Sequence, residues 1–153
     1  MARKMSKRKR IYLMLVFSII FHSQNICLSK NYVNLSKIKM IESSGNPNAY
    51  NEKTEAIGLY QITPICLKEW NNYHPKEQYT KNDLYNPEIN EKIAKWHLNI
   101  RIPEMLKYYG YEITVENIII CYDWGIGNFI KWKKGKKKLP EETKNYLREY
   151  GND

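Results

Sequence analysis

Residues 41–64 read IESSGNPNAYNEKTEAIGLYQITP, and the change of period across this stretch decides what kind of domain the chain builds. Upstream of it, from Asn31 to Glu42, apolar residues fall at Val33, Leu35, Ile38 and Ile41, mostly three or four apart, which predicts a helix. That helix must stop near Ser44, because Gly45 suits a C-terminal cap and Asn46-Pro47 starts a turn. Residues 47–62 carry no helical period and read as a long ordered loop with room for short extended pieces. Thr63-Pro64 then supplies an N-cap and a first-turn proline for a helix through Trp70. Long loops inside compact domains are usually functional. This one joins a glutamate at a helix end, Glu42, to an amide on the returning strand of chain, Gln61.

The same periodicity continues toward the C-terminus. Residues 71–85 are polar and irregular, and Asn86-Pro87-Glu88 opens a helix with a cap, a proline and an acid in its first turn. Ile89, Ile93, Trp96 and Ile100 give that helix an apolar face, Pro103 ends or kinks it, and Gly110 ends the short helix that follows. Thr114 caps a helix whose centre, Val115 to Tyr122, is apolar on nearly every side and so belongs in the middle of a small domain. Gly125 and Gly127 stop it, Asn128 is placed to cap a short basic-aromatic helix, and Pro140 opens a last helix toward Tyr150. No strand-period run of any length and no internal repeat is present. The expected architecture is mostly α, one domain, with a long loop after its first helix.

Composition limits the function. A hydrophobic fraction of 42% with 13% aromatic residues describes a globular chain rather than a disordered one. The net charge of +9 would suggest nucleic acid if it were spread over the domain. It is not spread: Arg3 to Arg10 contribute +6 and the lysine run 131–138 another +6, leaving the remainder at −3. Nucleic acid is therefore not the expected partner. The basic residues to Arg10, the apolar run Ile11–Phe21 and the more polar stretch to Ser29 follow the order of a secretory signal, with Cys27-x-Ser29 offering small residues before cleavage. The run is short for a hydrocarbon core of about 30 Å, although an uncleaved anchor is the alternative. Cys27 lacks the surroundings of a lipidation site. Residues 1–29 are thus read as an export signal and 30–153 as the working domain, placed in the periplasm or cell wall. Cys66 and Cys121 lie in apolar helical stretches, where buried free thiols are favoured over a disulfide. No CxxC pair or His/Cys cluster occurs, so neither metal nor cofactor is expected.

Glu42 has Ile38 and Ile41 beside it at the C-terminal end of its helix. Apolar neighbours and the helix dipole both disfavour a charged carboxylate there, and a carboxyl kept protonated near neutrality can protonate a leaving oxygen. Taken alone, such a residue is more often a solvated surface acid.

The surrounding motifs weigh against that reading. Glu42-Ser43-Ser44-Gly45-Asn46-Pro47, followed by Ala56-Ile57-Gly58-Leu59-Tyr60-Gln61-Ile62-Thr63-Pro64, resembles the first two motifs of the lytic transglycosylase catalytic domain. Asn86-Pro87-Glu88-Ile89-Asn90 with Trp96-His97-Leu98, then Ile120-Cys121-Tyr122-Asp123-Trp124-Gly125, then Leu139-Pro140-Glu141-Glu142-Thr143-Lys144-Asn145-Tyr146 resemble its later blocks, in order, over roughly residues 32–150. The resemblance implies a goose-lysozyme-like α fold and cleavage of the β-1,4 bond between N-acetylmuramic acid and N-acetylglucosamine in peptidoglycan. It implies Glu42 as general acid and then general base, yielding a 1,6-anhydro sugar. It also implies that Gln61 hydrogen-bonds the sugar, that Tyr122 hydrogen-bonds or orients the acid, and that Tyr146 lines the cleft. Ser43 and Ser44 either shape the turn or touch substrate.

Departures from the family pattern carry their own expectations. Asp123 stands where the family has asparagine and is read as a hydrogen-bonding replacement. The alternative is that Asp123, Glu52 or Glu55 positions water, which would make a lysozyme-type hydrolase. His97 replaces a tyrosine. The lysine run, with Trp132 inside it, reads equally as a solvated helix end and as an attraction for anionic wall polymers. The setting, whether wall turnover, a secretion or conjugation machine or a phage, and the oligomeric state are open at this level. So is the reading of an inactive wall-binding module.

Overall fold

The computed structural model describes residues 33–152. The expected signal or anchor over residues 1–29 lies outside them. Among the described residues no helix is long and apolar enough to cross a membrane. The chain runs α1 (Leu35–Ser43), a hairpin of β1 (Tyr50–Asn51) and β2 (Ala56–Ile57), α2 (Pro64–Tyr73), a 3-10 turn (Asn82–Tyr85) and α3 (Pro87–Trp96). A π-helical turn (His97–Arg101) leads into α4 (Ile102–Tyr108), followed by α5 (Val115–Trp124), α6 (Ile126–Lys133) and α7 (Glu141–Gly151). The result is a mostly helical small domain.

Helix α1 starts later than its apolar period suggests, because the Asn34 side chain accepts hydrogen bonds from the backbone N–H of Ser36 and Lys37 and so acts as its cap. Its far end is closed by Ser44 itself, in the left-handed region at φ 53°, and Gly45 follows at φ 78°. Helix α7 runs back along α1. The Tyr150 hydroxyl accepts from the Asn34 N–H at 2.8 Å near the start of α1, and Tyr146 reaches Glu42 at its end.

Residues 44–63 between α1 and α2 contain the two-residue hairpin, paired Tyr50 to Ile57 and Asn51 to Ala56. What holds this returning chain is Asn90 on α3, a fully buried side chain. It accepts from the Tyr60 N–H at 2.9 Å and donates to the carbonyls of Ile57 and Leu84 at 2.8 Å each. Gly58 is needed at this crossing: a Cβ there would collide with the Asn90 amide and lie 2.6 Å from the Leu84 carbonyl oxygen.

Pro103 does not end the third helix. A proline in an α-helix lacks the N–H for the carbonyl four residues back and crowds it. Here the turn just before it opens to π geometry, with the Ile102 N–H reaching the His97 carbonyl, and the helix continues as α4. The extra residue turns Leu98, Ile102 and Leu106 into the core and leaves Ile100 half exposed, so the apolar face expected through Ile100 ends at Trp96. Helix α5 is central as expected, with Ile118, Ile119 and Ile120 all buried. Burying each such side chain contributes about 1.5–3 kcal/mol. Gly125, at φ 83°, both ends α5 and begins α6. Asn128 is therefore inside α6 rather than its cap, and its amide donates to the Trp124 carbonyl at 2.8 Å. Cys66 and Cys121 are buried free thiols.

Candidate active site

A cavity of about 380 Å³ opens between the end of α1, the returning loop, α5 and the start of α7. Glu42, Gln61, Tyr122 and Asp123 line it, together with Asn51, Thr54, Cys66, His97, Trp124, Pro140, Glu142 and Thr143. Glu42 enters from the last turn of α1. Desolvation by its neighbours raises its carboxyl to about 7, and the Asp123 charge adds in the same direction. The Tyr146 hydroxyl, donating to Glu42 Oε1 at 2.8 Å, opposes the rise by favouring the carboxylate. Desolvation wins. The carboxyl is poised to give and to take a proton near neutrality.

The tyrosines divide their work differently from the expectation. Tyr122 faces the cavity, but its hydroxyl donates to the Tyr60 carbonyl at 2.5 Å and so ties α5 to the returning loop. The hydrogen bond to the acid comes instead from Tyr146 on α7, itself 8% exposed. Tyr146 comes from the far end of the chain, and only the packing of α7 on α1 brings the two together.

Gln61 sits at φ 46°, and its Nε2 donates to the Gly58 carbonyl at 3.1 Å and the Ala49 carbonyl at 3.4 Å. That leaves its Oε1 as the atom available toward the cavity. Ser44 caps α1 and does not line the cavity. Its neighbour Ser43 donates to the Leu59 carbonyl at 2.8 Å, fastening the helix end to the loop. Glu52 and Glu55 also stay out of the cavity, and Glu55 pairs with Lys81 at 3.1 Å on the surface. Asp123 is open to solvent at the rim. Desolvation from the cleft wall nevertheless raises its carboxyl above the usual range, with Glu142 adding and a hydrogen bond with Thr143 opposing.

Cys66, Trp124, Glu142 and Thr143 also line the wall, although no local signal in the sequence marks any of them for a role of its own. Among the described residues no group of His, Cys, Asp and Glu could hold a metal ion.

Residues 28–145 match the family described as the Transglycosylase SLT domain. The chain belongs to this family. No curated protein matches it. Among solved structures this SLT domain is similar to the 70 kDa soluble lytic transglycosylase SLT70 from Escherichia coli, with a TM-score of 0.62 and 20% sequence identity. The match covers 76% of this chain and 20% of that one. The chain thus corresponds to about a fifth of the length of SLT70, and the likeness at this identity is one of fold.

Proposed function

We propose that this SLT domain is an exported lytic transglycosylase that cleaves the N-acetylmuramic acid–N-acetylglucosamine β-1,4 bond of peptidoglycan without water. Glu42, protonated at the start, gives its proton to the glycosidic oxygen as the bond to the muramoyl C1 breaks. The resulting carboxylate takes a proton from the muramoyl C6 hydroxyl, whose oxygen closes onto C1. The products are a free N-acetylglucosamine end and a 1,6-anhydro-muramoyl end, and Glu42 has recovered its proton. One carboxylate suffices because the substrate supplies its own nucleophile, whereas ordinary glycosidases use a pair.

The observation that carries this reading is a carboxyl near 7 inside the cavity, held in place by Tyr146. Gln61 contributes its Oε1 to a sugar hydroxyl or N-acetyl N–H, and the loop 44–63 serves as one wall of the active site. Tyr122 supports the loop and Asp123 hydrogen-bonds at the rim. The hydrolytic alternative would need Asp123 as the base that positions water, and the product analysis below separates the two. Export by residues 1–29 places the enzyme where its substrate is, and the lysines at 131–138 attract anionic wall polymers. Local gap formation for a secretion or conjugation machine is one setting such an enzyme suits.

Mass spectrometry of muropeptides released from purified wall tests the chemistry. Products lighter by one water than their hydrolytic counterparts are expected, and reducing ends alone would establish the hydrolase instead. In a zymogram, Glu42→Gln should abolish clearing; absence of clearing by the parent protein as well would leave a wall-binding module.

A further inference from the structure

His97 occupies the π turn after α3 and lines the same cavity as Glu42, with its side chain 14% exposed. Its Nδ1 is buried and makes no hydrogen bond among the described residues. That nitrogen faces Glu69 Oε2 at 3.8 Å, too far for a hydrogen bond but close enough for the carboxylate to set the local potential. Glu69 is fixed in turn by Arg101, whose Nη2 and Nε donate to Glu69 Oε1 at 2.9 and 3.3 Å. A negative oxygen beside Nδ1 favours the ring proton on that atom. The lone pair is then left on Nε2, at the opposite edge of the ring.

We infer that His97 is a substrate-specificity residue, an acceptor that Glu69 and Arg101 hold in the Nδ1–H form so that Nε2 takes a hydrogen bond from a hydroxyl or amide N–H of the bound glycan. The inference rests on the proposed glycan reading for the identity of the donor. Burial and the nearby Arg101 charge keep the imidazole neutral, its ordinary value lowered to about 4, against the opposing pull of Glu69. A tyrosine, the residue of the family pattern, would offer both a donor and an acceptor at this point. The neutral imidazole offers the cavity an acceptor alone, so this chain selects a donor there.

Nitrogen-15 NMR of the full chain reads the tautomer directly, and titration with an N-acetylglucosamine tetrasaccharide reads the contact. The expected result is a proton on Nδ1 and an Nε2 resonance that moves on titration. In turnover of purified glycan, His97→Phe keeps the ring volume and removes both nitrogens, and should raise KM about tenfold with kcat within about twofold. His97→Gln, which restores an acceptor at similar reach, should recover most of that loss. A proton on Nε2, an Nε2 resonance unmoved by the tetrasaccharide, or an unchanged KM in His97→Phe would each overturn the assignment. If the parent protein leaves glycan uncut, the proposed function falls, while the titration still decides the role of His97.

Discussion

At Glu42 two effects oppose each other, and their balance sets the protonation of the carboxyl. Desolvation raises the carboxyl and the Tyr146 hydroxyl lowers it, with a net position at about 7. Removing the hydroxyl in Tyr146→Phe should therefore move Glu42 further up by up to about one unit. In the proposed mechanism cleavage begins with the protonated acid, so the alkaline limb of kcat/KM should lie near 7 in the parent and higher in the variant. A limb that moves down would contradict the arrangement. The same carboxyl makes folding depend on pH. Its ordinary value is 4.5, so between 4.5 and about 7 the folded state binds a proton that the unfolded state has released. Stability then falls as pH rises through that window, by about 3 kcal/mol in all. Glu42→Gln removes the dependence, so its Tm relative to the parent should climb from pH 5 to pH 7 and then level off. Calorimetry across that range checks it, and a difference flat with pH would refute a raised carboxyl.

Among the elements, the returning loop and α3 depend on one another through Asn90. Its amide satisfies three backbone groups at once, on residues 57, 60 and 84. Asn90→Ala leaves those groups buried and unpaired at about 1–3 kcal/mol each, so a loss of about 3 kcal/mol or more is expected. Chemical denaturation would measure it, and a loss below about 1 kcal/mol would mean that water replaces the amide. Asn90 was visible in the sequence as one member of a motif block, but nothing local said what it holds. The caps were legible because they act within a few residues: Thr63 accepts from Cys66, Asn86 from Glu88 and Ile89, and Thr114 from Asn117. The π turn itself was not legible, because Pro103 announces an end or a kink alike and only the packing of Leu98 and Ile102 decides between them.

On the scale of the whole molecule, charge is segregated. None of the lysines from 131 to 138 pairs with an acid among the described residues. Lys133 lies over Trp132 at 4.4 Å and Lys137 over Trp124 at 4.8 Å, the latter ring on the cavity wall. The basic turn therefore borders the cavity, where the proposed attraction of an anionic wall would act. Replacing Lys131, Lys134, Lys136 and Lys138 by Gln should weaken co-sedimentation with wall sacculi severalfold at low salt and leave little difference at high salt. Equal sedimentation at low salt would show the lysines to be only a solvated surface. The sequence by itself determined the helical class, the order of the elements, the family motifs and the candidacy of Glu42 and Gln61, because periodicity, caps and motif spacing are local. Only the tertiary structure decided that Tyr146 rather than Tyr122 bonds the acid, that Ser44 stays at the turn, that Asn90 pins the loop and that His97 faces the cavity. Apart from the local cap at Ser44, those arrangements join residues far apart in the chain, and their pairing is set by how α3, α5 and α7 pack around α1 and its loop.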